Sequence, residues 1–260
     1  MMKKSRSISS KLPAAGALAA AAGLWLLAAE GEWVPSFLLP SPAAVCRALA
    51  ADAPILLENA LVTLLEAALG LAAGILAALV LATLMHRVRV LYRALYPLLV
   101  ITQTIPTIAL APLLVLWMGF GMAPKVTLVA LTTFFPIAVS LLDGYAGTDR
   151  AAADLMRSMG ATRWQVFRHL EFPSALSHFF SGLRVSASYA VVGAVISEWL
   201  GGFQGLGVYM TRVKKAYAFD KMFAVILVIV AVSLLLMALV AALRRRACPW
   251  EAYEKIERND

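Results

Sequence analysis

The chain has 260 residues, of which 62% are hydrophobic and only 15% charged, with a formal net charge of +8. A soluble globular domain is roughly 45–50% apolar and about 25% charged, so the composition excludes an ordinary one. It also gives no nucleic-acid signal, because the basic residues lie between long uncharged runs at 12–29, 67–85, 94–124, 126–142 and 222–243.

About 20 apolar residues cross a bilayer core as a helix. The runs predict an all-α, polytopic membrane protein of about six transmembrane helices, at about 12–29, 61–85, 97–118, 124–142, 175–197 and 222–243. Arg184 falls near one end of the fifth. No soluble domain fits between them, so residues 1–260 are expected to form a single membrane domain. With the N-terminus placed inside, sixteen Lys and Arg residues fall on the inner side and six on the outer. Cytoplasmic loops carry that excess, which predicts a multi-pass protein of the inner (cytoplasmic) membrane with both termini cytoplasmic.

In chain order, residues 1–30 begin with Lys3, Lys4 and Arg6 and end in small residues, as a cleaved signal peptide would. The apolar run 12–29 is long for a signal core, and a retained first helix is the expectation. The outer segment "EGEWVPSFLLPSPAAVCRALAADAP" should hold a short helical piece and place Trp33 near the headgroups. In the second span, Gly70 and Gly74 form a small-xxx-small pair, read as helix packing within one subunit. Glu66 stands near the outer end of that span and Glu198 ends the fifth. An ionisable group in a membrane is costly, which makes both candidates for the translocation path; outward snorkelling is the alternative.

The third span carries Pro97, Pro106 and Pro112, with Thr102, Gln103, Thr104 and Thr107 clustered about Pro106. Pro97 suits a first turn, and the other two predict a bent helix buried in protein. The four polar residues either back-bond to helix carbonyls or line a pathway for a polar solute. "GGFQGLG" at 201–207 follows a span rather than a strand and reads as a turn on the outer side. Cys46 and Cys248 fall on opposite sides and cannot pair. His86, His169 and His178 lack the neighbours of a metal site, and no GxxxxGK[ST], HExxH or GxSxG motif occurs.

The inner loop at about 144–174 is the most structured of the connections. Thr148 is expected to cap a helix with Asp149 in its first turn, carrying Ala151, Leu155 and Met159 on one face. Gly160 should stop it, and Thr162-Arg-Trp-Gln165 has the form of a capping box that starts a second helix. Trp164, Phe167 and Leu170 stripe that helix, and Pro173 is expected to break the ladder before the fifth span. A loop resting on lipid headgroups explains the charge. A protein docked on the apolar face of the first helix explains the glycine elbow as well.

This loop resembles the motif of binding-protein-dependent ABC importer permeases, EAA, three residues, Gly, nine residues, Ile-x-Leu-Pro. Asp154, Leu155 and Met156 stand for Glu-Ala-Ala, Gly160 and Pro173 match, and Leu170 and Phe172 stand for the Ile and Leu. "IPTIALAPLLVLWMGFGMAPK", "FLLPSPAAVCRAL" and "SEWLGGFQGLGVYM" are similar to the nitrate/sulfonate/taurine branch, and the last, continued through "TRVKKAYAFDKMFAV", leans towards its thiamine-pyrimidine-precursor members.

The resemblance implies a permease for a small polar solute: a sulfonate, nitrate, taurine or thiamine-pyrimidine-like compound. It implies a separate ABC ATPase subunit docked on Asp154 to Gly160, a periplasmic or lipid-anchored solute-binding protein, a second permease subunit forming a homodimer, and surrounding lipid. It also implies that this chain is no enzyme and binds no cofactor, since ATP is hydrolysed by the partner. A secondary transporter or a membrane scaffold without transport is the rival class. The first would be expected to hold coupling carboxylates near mid-membrane on symmetric halves, which this chain lacks.

Overall fold

The computed structural model describes residues 12–31, 35 and 38–250, and every regular element among them is helical. In chain order these are α1 (Leu12–Glu30), α2 (Pro42–Ala51), α3 (Ala53–Arg87), α4 (Arg89–Thr102), α5 (Thr107–Met118) and α6 (Met122–Ala146). The inner loop supplies α7 (Arg150–Ser158) and α8 (Arg163–Val166), and a π-helical turn (Phe167–Glu171) leads into α9 (Phe172–Gly201). Then come α10 (Leu206–Lys215) and α11 (Phe219–Ala247). Trp33 and the terminal basic residues Lys3, Lys4, Arg6, Lys11, Lys255 and Arg258 lie outside the described residues.

Among the described residues, four helices or continuous helical runs are long and apolar enough to cross a membrane: α3, α6, the run 163–201, and α11; a fifth span counts if the bent pair α4 and α5 is one broken span. The six spans expected are not confirmed among these residues, where Ala19–Glu30 counts as a shorter apolar stretch. Residues 97–118 form no single helix: α4 begins at Arg89, placing Pro97 in its interior, and α4 and α5 meet at 102°. The reason is local. Pro106 cannot continue the ladder, and amides 103, 104 and 105 close i→i−3 bonds onto the carbonyls of Val100, Ile101 and Thr102. The chain turns there and restarts at Thr107.

The residues divide into two compact units. The first comprises residues up to 57 together with 209–228. Ser41 caps α2 by accepting from the Ala44 amide at 3.3 Å, with Pro42 in the first turn where its missing donor costs nothing. Val45, Ala48 and Ala224 form its small core, against which Trp25, Leu49 and Phe223 pack. The Trp25 indole donates to the Pro40 carbonyl at 3.1 Å and stacks on Phe223. Lys221 and Tyr209 both donate to Asp52 Oδ2, at 2.8 and 2.5 Å.

The second unit comprises 58–208 and 229 onwards. Its core lies between α6 and α9, where Leu128, Val129, Ile137, Ala138 and Leu141 are buried on one helix and Ala187, Ala190, Val191 and Ala194 on the other. Small residues on α9 let the two backbones approach closely. Gly70 and Gly74 of α3 likewise lie against α6: a Cβ at Gly70 would overlap Val129, and one at Gly74 would overlap the Thr133 hydroxyl. The pair therefore packs within one chain, as expected.

Candidate coupling loop and buried charge cluster

The inner loop is built by explicit capping. Asp149, not Thr148, is the N-cap of α7, its carboxylate accepting from the amides of Ala151 at 2.8 Å and Ala152 at 3.4 Å. A carboxylate serves the positive helix end better than a hydroxyl does. The Thr148 hydroxyl is instead buried without a hydrogen-bond partner. Ala153 faces inward, whereas Leu155 is 63% and Met159 79% exposed. Asp154 is exposed and pairs with Arg157 at 2.8 Å, and Met156 is half-buried.

At the end of α7 the Ala161 amide reaches the Met156 carbonyl and the Gly160 amide reaches Arg157, both near 3 Å. That is a Schellman motif, and it places Gly160 at φ +87°. Nothing lies within 4 Å of a Cβ at Gly160, so the backbone conformation and not crowding demands the glycine. The Thr162–Gln165 capping box forms as expected: the Gln165 amide donates to the Thr162 hydroxyl and the Thr162 amide donates to the Gln165 side chain.

Pro173 does not break the chain before the fifth span. Residues 163–201 run as one helix of 39 residues, and the π turn absorbs the proline. Within α-geometry the Pro173 ring would meet the carbonyl four residues back. The Phe172 amide bonds instead to the Phe167 carbonyl, five residues back, and widens the turn. Leu170, Phe172 and Pro173 are half-buried along this turn, Phe167 is buried and Trp164 is exposed. The second helix of the elbow is thus continuous with a long membrane helix.

Elsewhere in this unit α3, α6 and α9 bury three ionisable side chains. Lys125 Nζ donates to Glu66 Oε1 at 2.6 Å, with both side chains almost wholly enclosed. Glu66 Oε2 is buried without a partner. Glu198 Oε1 accepts from the Thr63 hydroxyl at 2.7 Å, and its Oε2 accepts from the Gly207 amide at 2.6 Å. The Gly205 and Leu206 amides are held by the Asn59 side chain and the Thr63 hydroxyl at 2.8 and 2.9 Å. Residues 202–207, an outer turn by sequence, are therefore pinned to α3 by its own amides, and Glu198 caps the start of α10.

Neither carboxylate snorkels. Lys125, Thr63 and Asn59 were not singled out by the sequence. Lys125 counts there as an outer-loop cation, yet it lies one turn inside α6 and is 6% exposed. Its place just before an uncharged run, with Glu66 just before another, was the available signal. Around the α4–α5 bend, Thr102 and Thr104 donate to the carbonyls of Leu99 and Ile101 at 2.7 and 2.8 Å. Gln103 is exposed and Thr107 half-buried. Three of the four polar residues at the bend are thus exposed, whereas Glu66 and Glu198 are buried.

Residues 70–247 match the family described as binding-protein-dependent transport system inner membrane component. This chain belongs to that family. It is 39% identical over 213 residues to a probable ABC transporter permease of Haemophilus influenzae, covering 82% of this chain and 87% of that one. It is 38% identical to the formylaminopyrimidine transport permease ThiX of Halalkalibacterium halodurans, covering 87% and 91%. An inward-facing structure of the MetNI methionine ABC transporter superposes with a TM-score of 0.66 at 20% identity, over 74% of this chain and 96% of that one, and shares its fold. The chain is an ABC importer permease, a multi-pass membrane component that works with a binding protein and an ATPase. The family match encloses α7, the π turn, Lys125 and Glu198; Glu66 and Thr63 precede it.

Proposed function

We propose that this permease receives work from a separate ATPase through the loop at about 144–174 and passes a small heterocyclic solute across the inner membrane. The exposed apolar pair Leu155 and Met159, next to an elbow whose second helix runs on into α9, carries the proposal. An apolar face on a short, capped, otherwise polar helix is suited to a partner's groove. Asp154, Leu155, Met156, Met159 and Gly160 are the docking helix, and Leu170, Phe172 and Pro173 belong to the segment that relays its motion. ATP is bound and hydrolysed by the partner, and this chain is non-catalytic.

The pyrimidine-type solute rests on the identity with ThiX along nearly all of that permease. Two copies would form the pathway, with the exposed apolar surface of α4 and α5 between them or against lipid. Both termini face the cytoplasm, following the Lys/Arg asymmetry. Thr102, Gln103, Thr104 and Thr107 are the polar lining; Glu198 serves the path indirectly, by holding the turn at 202–207 in place, and Glu66 does so by fixing α3 to α6 through Lys125.

Co-purification tests the docking face. The ATPase should bind the wild-type permease and be lost from Leu155→Asp/Met159→Asp. Vesicles supplied with a solute-binding protein and labelled formylaminopyrimidine should accumulate it only with ATP on the cytoplasmic side. Uptake without ATP would point to a secondary carrier. Gly160→Val should lower solute moved per ATP several-fold while the membrane domain stays folded; unchanged transport would remove the elbow from the mechanism.

A further inference from the structure

The relay segment is gripped by a helix other than its own. The Arg87 guanidinium at the end of α3 lies 4.3 Å from the Phe167 ring centroid and 5.6 Å from that of Trp164. His86 Nε2 is 2.9 Å from Glu171 Oε2, and the His86 ring stacks on Tyr145 at 4.5 Å. Tyr145 in turn shares a 3.1 Å hydrogen bond with Thr83 and packs beside Phe167. The first and last residues of the π turn, Phe167 and Glu171, are thus both clasped by the last residues of α3. A π turn is a place where a helix departs from its regular ladder, and such turns recur at functional positions.

The other end of α3 makes the clasp informative. Asn59 and Thr63 hold the amides of Gly205 and Leu206, and Thr63 also binds Glu198. From Thr63 to Arg87 an α-helix rises roughly 36 Å at about 1.5 Å per residue, more than the hydrocarbon core. One unbroken helix therefore connects the relay segment to the turn at 202–207.

We infer that α3 is a push rod: Arg87 and His86 are positioning residues that take up movement of the Phe167–Glu171 turn and carry it to the outer turn at 202–207. This rests on the coupling role proposed for the loop and adds a second route beside α9. A rigid helix held at both ends by directional contacts transmits displacement, whereas a helix packed only by smooth apolar surface slips.

The test uses the full complex of permease and ATPase in nanodiscs, with Cys46→Ser and Cys248→Ala. An environment-sensitive fluorophore is placed by Phe203→Cys in the outer turn, or by Val192→Cys on α9. Trapping with ATP and vanadate should change both signals in the otherwise wild-type protein. With His86→Ala/Arg87→Met, the ATPase should still co-purify and the α9 signal persist, while the outer-turn signal falls at least several-fold. Phe167→Leu, which keeps apolar volume but removes the ring, should do the same. Phe167→Tyr should restore the response. An undiminished outer-turn signal in folded variants overturns the inference, and so does a parallel loss of both signals, which would make the clasp mere support for the elbow. Loss of ATPase binding or of any nucleotide response in the unaltered protein would defeat the coupling role itself, and the rod with it.

Discussion

Lys125→Met is the sharpest perturbation of the charge cluster, because it deletes its sole cation among the described residues and leaves two carboxylates. The Lys125 and Glu66 side chains are 7% and 2% exposed, so neither water nor salt screens their 2.6 Å contact. Breaking a buried pair by removing one partner costs about 3–5 kcal/mol, most of it from the stranded charge. The surface pair Arg157–Asp154, at 56% and 72% exposure, is by contrast worth about 1 kcal/mol at most. At roughly 2–4 °C per kcal/mol for a chain of this size, the melting temperature should fall by roughly 6–20 °C. Thermal unfolding of the purified permease in lipid nanodiscs reads this directly. Lys125→Met/Glu66→Leu should recover most of the loss, since apolar residues replacing a whole buried pair are often neutral or stabilising. The double variant melting no higher than the single, or the single melting with the wild type, would refute the assignment of a buried pair.

Three further outcomes follow from the geometry. Asp149→Ala should cost about 1 kcal/mol of stability through the lost α7 cap, and should weaken ATPase co-purification more than it lowers the melting temperature, because only a nine-residue helix depends on that cap. Gly74→Leu should destabilise the membrane domain severely, since a Cβ there already overlaps Thr133 Oγ1 across the α3–α6 contact; detergent-resistant expression of such a variant would contradict that packing. Hydrogen bonds from Lys221 and Tyr209 hold the Asp52 carboxyl below the usual carboxylate range. A depressed carboxylate pKa contributes stability that is full above the unfolded value and is lost as pH falls through the folded one. Melting curves should therefore drop on the acid side of about pH 4, and Asp52→Asn should flatten that drop.

Composition and local chemistry determined a good deal unaided. Uncharged runs of about 20 residues identify α3, α6 and α11 as spans because a helix lets one such segment satisfy its own backbone in lipid. The capping box at Thr162, the glycine stop at 160 and the apolar face of Leu155 and Met159 were legible because caps and helical periodicity act within a few residues. Even the small pair Gly70 and Gly74 announced a close helix contact.

Other features were settled only by distant neighbours. Whether Pro173 would break the helix or be absorbed depended on a π turn whose aromatic, Phe167, is gripped from α3, some eighty positions earlier in the chain. That the Thr148 hydroxyl would be turned inward and left without a partner could not be read from the cap pattern alone. Above all, the pairing of Lys125 with Glu66 and of Glu198 with Thr63 joins residues 59 and 135 positions apart. Hydropathy assigns each such charge to an interface, because it weighs a residue against its sequence neighbours. Burial of a charge becomes tolerable only when an opposite charge or a set of donors arrives from another helix, and that meeting exists only in the folded chain.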